Sequence, residues 1–225
     1  MSRDIPVLTP IRIRDNIDFL DSLRSYQAEY FVVVAYGRIL PQELLDIPQM
    51  CLNVHGSLLP QYRGASPIQS ALLHGEGETG VTIMQMTLGM DEGGIMRQEI
   101  IPIEATETSG TLFEKYAQIS GRVLISTLID LSLGRVEMIP QDESRVSYCK
   151  KILKEDGQID WSESAKIIYQ KWQAYTPWPG IFSTLGEKRI IIESCQWSPS
   201  QTHDLSMIAT IDRLSDGQIV VQCGS

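Results

Sequence analysis

Strand-like and helix-like stretches alternate through the first 140 residues, which predicts an α/β domain on a mainly parallel sheet. Two further observations support this. The run Phe31-Val32-Val33-Val34-Ala35 is β-branched and apolar on both faces, as a buried parallel strand requires. After a polar boundary from Pro140 to Gly157 the pattern changes to short strands with turn signals such as Asp216-Gly217, the start of a small β domain. The expected division is an α/β domain over 1–140, a linker over 141–160 and a β domain over 161–225 that ends before a barrel could close.

The elements follow in order. Asp15 or Asn16 can cap a helix that carries Ile17, Leu20 and Leu23 on one side. The Phe31–Ala35 strand comes next, and Pro41 opens a short helix with Leu44 and Leu45. Cys51 to His55 is a second strand. Ser66 and Pro67 supply an N-cap and a first-turn proline ahead of Ile68, Ala71 and Leu72. Val81 to Met86 and Met96 to Ile103 read as further strands. In the longest helical pattern, Thr108 to Leu133, Leu112, Tyr116, Ile119, Val123, Leu124 and Leu128 recur at steps of three or four until Gly134. Ser164 to Tyr175 is helical, and Ile190–Ile192, Met207–Ile211 and Ile219–Val221 are short strands.

Composition excludes several classes of function. Hydrophobic residues make up 43% and charged residues 21%, which is ordinary globular usage and not that of a disordered or disulfide-stapled chain. No apolar run approaches the roughly 18 residues that would span a bilayer, and no secretory signal follows Met1. The formal charge of −9 argues against non-specific phosphate binding, which relies on clustered Lys and Arg. Lys150, Lys151 and Lys154 are the one basic cluster, and a solvated linker explains them as well. Cys51, Cys149, Cys195 and Cys223 form no C-x-x-C pair and read as reduced, mostly buried thiols of a cytosolic protein.

Two segments carry candidate chemistry. In Asn53-Val54-His55 the amide and the imidazole lie two apart on a strand and so share a face, which is costly in a core unless both find partners. The glycine- and proline-bearing turn Gly56 to Gly64 follows, where ligands of open α/β sheets sit. The second segment is Leu88-Gly89-Met90-Asp91-Glu92-Gly93-Gly94, whose glycines permit close backbone approach around an acid. From spacing alone His55 reads equally as a structural histidine, and Asp91 as a solvated acid in a turn. If the three met, Asn, His and Asp would suit addition of an amine to a carbonyl, with donors for the oxyanion and an acceptor for the amine proton.

At this point a resemblance enters. Cys51-Leu52-Asn53-Val54-His55-Gly56-Ser57-Leu58-Leu59-Pro60-Gln61-Tyr62-Arg63-Gly64-Ala65-Ser66-Pro67-Ile68-Gln69 closely resembles a signature of the folate-dependent formyltransferase superfamily. Val32 to Pro41, Glu78 to Met86 with Gly89-Met90-Asp91, Asp160-Trp161-Ser162 and Pro177-Trp178-Pro179 are similar to segments of its methionyl-tRNA formyltransferase family. The likeness extends over nearly the whole chain.

The resemblance implies a Rossmann-like formyltransferase domain without its first two βα units, about 60 residues by the usual size of such units, followed by an incomplete OB-like β-barrel domain. It implies transfer of a formyl group from 10-formyltetrahydrofolate to the α-amine of methionine on initiator tRNA, with no metal. Asn53 would donate to the oxyanion and His55 would stabilise it. Asp91 would hold His55 and help take the amine proton. Ser57, Leu58, Leu59 and Pro60 would line the folate pocket, although plain loop packing remains a role for one of the two leucines. The implied partners are folate and initiator Met-tRNA without a membrane. The implied state is a monomer when complete, in the cytoplasm or an organelle matrix. Two other readings stay open: a non-catalytic truncated remnant, and a formyltransferase acting on a sugar-nucleotide amine.

Overall fold

The computed structural model describes residues 5–199, 209–213 and 219–224. Helix α1 (Ile17–Ser25) is capped by Asn16, whose side chain accepts from the Phe19 amide, and it buries Leu20 while Ile17 stays exposed. Strand β1 (Tyr30–Val34), the short helix α2 (Gln42–Leu45) and strand β2 (Met50–His55) follow, then β3 (Arg63–Gly64) and helix α3 (Pro67–Leu73). Strands β4 (Glu78–Gln85) and β5 (Ile95–Pro102) lead into the long helix α4 (Ser109–Ser132), which Thr108 caps and Gly134, at φ 64°, follows. Strand β6 (Tyr148–Cys149), helix α5 (Ala165–Tyr175), and β7 (Ile181–Leu185), β8 (Lys188–Ile192), β9 (Ile211–Arg213) and β10 (Ile219–Val221) complete the order.

The main sheet runs β1-β2-β4-β5 with helices packed on it, the expected α/β class. It is mixed rather than mainly parallel. Only β1 and β2 pair in parallel within it, because α3 returns the chain antiparallel to β2 and the loop over 86–94 folds β5 back on β4. The second departure is β1, read as buried on both faces. Phe31 and Val33 pack with Ile13, Leu20, Leu40 and Leu44, whereas Val32 and Val34 on the opposite face are exposed. Helices α3 and α4 cover β4 and β5 on that side and do not extend over β1.

The principal core joins Val81, Ile83 and Ile101 of the sheet to Ile68, Leu72, Leu112, Tyr116 and Val123 of the helices. It continues without a break into Ile152, Ile159, Ile168, Ala174, Tyr175 and Ile181, so α5 and β7 share the core of the sheet. Beyond it, β7 pairs with β8 and β9 with β10 as separate antiparallel hairpins, and no closed barrel forms among the described residues. Most of the expected strand Met207–Ile211 and the Asp216-Gly217 turn lie outside the described residues. Cys51 and Cys149 are buried, Cys195 and Cys223 only half-buried, and all four are free thiols.

Candidate active site

The face of β2 opposite α3 and α4 carries Asn53 and His55, paired across the ladder with Met84 and Thr82. The β4–β5 connection brings Asp91 against them from 38 residues away: Asn53 Nδ2 donates to Asp91 Oδ1 at 3.2 Å. The other carboxylate oxygen, Oδ2, accepts the Gly64 amide at 2.9 Å and lies 3.7 Å from His55 Nδ1. That last distance is an ionic contact and too long for a hydrogen bond. The three expected residues therefore meet.

What orients the imidazole differs from expectation. His55 Nε2 lies 3.0 Å from the Tyr62 carbonyl oxygen, which can only accept, so the ring is fixed by backbone and Nε2 carries the proton. In the neutral ring Nδ1 is then the basic nitrogen, and it faces Asp91. Burial pushes the His55 pKa below its ordinary 6.5, against the opposing pull of Asp91 and of the Tyr62 carbonyl. Burial thus favours the neutral ring, with the Asp91 carboxylate placed to support its protonated form.

The backbone around the triad is shaped for close approach. Tyr62 holds φ 58° and Asp91 φ 52°, both in the left-handed region that side chains other than glycine enter at some cost. Gly64, at φ 121°, lies so near the Cys149 carbonyl that a Cβ there would overlap it. A Cβ on Gly93 would collide with the Gln85 carbonyl in the same way.

The loop expected to line a folate pocket is built inward. Ser57 is fully buried and donates to the Gln61 carbonyl at 2.6 Å, while Leu59 packs with Met84 and Ile95. Thr82 Oγ1 ties the loop down: it donates to the Ser57 carbonyl and accepts from the Leu59 amide and from Gln98 Nε2. Pro60 is also buried, so of Ser57, Leu58, Leu59 and Pro60 only Leu58 keeps a partly exposed side chain. The other three face the protein because the turn needs their side chains for its own packing.

Sequence reasoning missed the segment 141–150, read as linker and instead laid across the site. The Ser147 carbonyl accepts the Arg63 amide at 2.9 Å, and the Ser147 hydroxyl accepts the Tyr62 amide at 2.9 Å. Cys149 pairs with Gly64 in the β3–β6 ladder, and Ser66, expected to cap α3, donates its hydroxyl to the Lys150 carbonyl. Arg63, only 2% exposed, donates to Gln141 Oε1 at 3.0 Å and to Glu143 Oε1 at 2.8 Å. No local signal announces pairs separated by about 80 residues; the polarity of 140–157 marked the segment but not its partner.

Among the described residues, no group of three His, Cys, Asp or Glu side chains could hold a metal ion. A cavity of about 180 Å³ lies elsewhere, between α3 and α5, and includes Glu76, Lys166 and Gln170 in its lining.

Comparison with known proteins bears on the family and the fold. Residues 9–128 match the model of a family described as formyl transferase, and residues 151–225 that of the formyl transferase C-terminal domain. A methionyl-tRNA formyltransferase of Gluconobacter oxydans is 37% identical over 222 residues, covering 98% of this chain and 70% of the relative. One from Nitratidesulfovibrio vulgaris is 40% identical over 229 residues, covering 99% and 69%. The solved methionyl-tRNA formyltransferase of Clostridium thermocellum superposes with a TM-score of 0.64 at 18% identity, over 92% of this chain and 82% of that one. HypX of Aquifex aeolicus in complex with tetrahydrofolic acid gives a TM-score of 0.65 at 19% identity, over 78% of this chain and 30% of that one. A sugar N-formyltransferase of Shewanella gives 0.69 at 20%, over 84% and 78%.

Proposed function

This chain belongs to the formyl transferase family, and on that premise we propose that it moves a formyl group from 10-formyltetrahydrofolate to the α-amine of methionyl initiator tRNA. The observation that carries the reading is the meeting of Asn53, His55 and Asp91 at the end of β2, from two segments 38 residues apart. Identity of 37% to 40% to methionyl-tRNA formyltransferases, over essentially the whole chain, favours the tRNA substrate. The likeness to sugar N-formyltransferases extends to the fold alone.

The reaction forms one C–N bond and breaks another. The amine nitrogen attacks the formyl carbon, the formyl oxygen takes up negative charge, and the folate N10 leaves with the bonding pair and a proton. Asn53 has two amide hydrogens and spends one on Asp91. The second serves the formyl oxygen, where a placed donor is worth about 3 kcal/mol of transition-state stabilisation. His55 Nδ1 accepts the proton that the amine sheds on attack and passes it on to the departing N10. The imidazolium so formed rests between the Tyr62 carbonyl and the Asp91 carboxylate, which favours proton uptake at the moment it is needed. Asp91 thereby stabilises the charged ring and holds Asn53. The turn from Ser57 to Pro60 borders the folate, meeting it through backbone groups and Leu58. Translation initiation would place this work in the cytoplasm.

Transfer of labelled formyl from 10-formyltetrahydrofolate to charged initiator Met-tRNA tests the reading, with His55→Ala as control. Formylation lost in the variant supports it. Equal formylation by both proteins would remove His55 from the chemistry. No formylation by the unsubstituted chain would favour a non-catalytic member of the family.

A further inference from the structure

We propose that Gln141 is a positioning residue for this reaction, acting through the backbone of Asp91. The proposal rests on the reading of Asn53, His55 and Asp91 given above and extends it to a residue that never faces the reacting atoms.

Gln141 spends its whole side-chain amide on the site. Its Oε1 accepts from Arg63 Nε at 3.0 Å, and its Nε2 donates to two carbonyls of the acid-bearing loop, Asp91 at 2.7 Å and Gly93 at 2.8 Å. One planar group therefore links the buried Arg63, next to the Tyr62 that orients His55, to the loop that presents Asp91. Arg63 is itself held by Glu143 at 2.8 Å, so the anchor behind Gln141 is a buried guanidinium in a charge-assisted contact.

The loop needs such a hold. Asp91 keeps a left-handed φ of 52°, a conformation that persists only where neighbouring contacts over-determine it. From the side-chain end, Asn53 and the Gly64 amide fix the carboxylate; from the backbone end, Gln141 fixes the carbonyl. Removing the backbone hold lets the peptide turn while the carboxylate stays attracted to His55, and a displacement of about 1 Å in such a group can cost about a hundredfold in rate.

Two substitutions separate positioning from folding. Gln141→Glu keeps the shape and the acceptor for Arg63 but sets a carboxylate oxygen against two carbonyls. Gln141→Met keeps the bulk and loses both functions without adding charge. In Gln141→Glu we expect kcat for formyl transfer to fall by about tenfold to a hundredfold, with KM for the formyl donor within about threefold, in protein that remains folded. Arg63→Lys, which loses the Nε–H that Gln141 accepts, should reproduce part of that loss. A kcat within twofold of the unsubstituted chain in folded Gln141→Glu would overturn the proposal.

The second readout does not depend on turnover, so failure of the formyl-transfer reading stays distinguishable from failure of this one. The His55 ring is followed by NMR titration in Gln141→Met. Asp91 supports protonation of that ring, so a displaced Asp91 should shift the His55 midpoint further toward acid. An unchanged midpoint would leave Gln141 with a packing role only.

Discussion

At the end of β2, His55 has an acceptor on one nitrogen and a carboxylate facing the other, and Asp91 is gripped from both its side chain and its backbone. One strand away, on β1, Val34 is 56% exposed, and beyond the strand Ile39 is 84% exposed. These two regions share a sheet, yet one is constrained on all sides and the other presents apolar surface to solvent. The contacts that shape the site come from the 61–66 turn, the β4–β5 connection and the strap over 141–150; none is made by the open face of β1. Stability and catalysis should therefore respond very differently to change in the two regions.

The largest effect belongs to the side chains facing the substrate. Asn53→Ala removes the free amide hydrogen and should lower kcat by about a hundredfold or more while folate binding changes by less than about threefold. Steady-state kinetics beside tetrahydrofolate titration would show it, and equal losses in both would assign Asn53 to binding instead. Gly64→Ala comes next, because a Cβ would overlap the Cys149 carbonyl in a backbone conformation unfavourable to alanine. A loss of about 3 kcal/mol in urea unfolding is expected, from overpacking and left-handed strain together. An unchanged midpoint would show that the strap is free to give way.

Acid should act on the same side of the comparison. The unfolded chain takes a proton on His55 near 6.5, whereas the folded chain resists until lower pH. Stability contributed by the neutral ring is thus complete above 6.5 and declines as pH falls below that value toward the folded pKa, a component that His55→Gln should abolish. Because the ring must be neutral to accept the amine proton, the acid limb of kcat should also lie below 6.5. A limb above that value would mean that another group controls proton transfer.

The smallest effect is expected on β1. Val32→Thr and Val34→Thr, together, should change stability by no more than about 0.5 kcal/mol each and leave kcat unaltered, while light scattering shows weaker self-association. A large kcat loss from these two changes would contradict the separation of the regions.

Much of this was legible in the sequence, for physical reasons that differ between elements. The Asn16 cap and the periodicity of α4 were readable because local hydrogen bonding and a 3.6-residue period are written in neighbouring residues. The positions of β1, β2, β4 and β5 were legible too, but neither β7 nor strand direction was, since β4 runs antiparallel to β2 for reasons of connection and not of composition. Asn53, His55 and Asp91 were found as oddities: polar groups on a strand face, and an acid among glycines. Arg63 and Gln141 were not found, because a buried guanidinium in a turn and a glutamine in a polar stretch look like surface residues until the chain folds. The motif holding Ser57 and Leu59 did not reveal that their side chains serve Gln61, Met84 and Ile95, contacts that only the folded turn brings about.

The most direct test is single-turnover formyl transfer by Asp91→Asn, an isosteric change that keeps one acceptor oxygen, for either the Gly64 amide or Asn53 Nδ2, and removes the charge beside His55. Chemistry should slow by about a hundredfold or more, with tetrahydrofolate affinity within about threefold of the unsubstituted chain. A single-turnover rate equal to that of the unsubstituted chain would contradict it, because the imidazolium would then need no carboxylate.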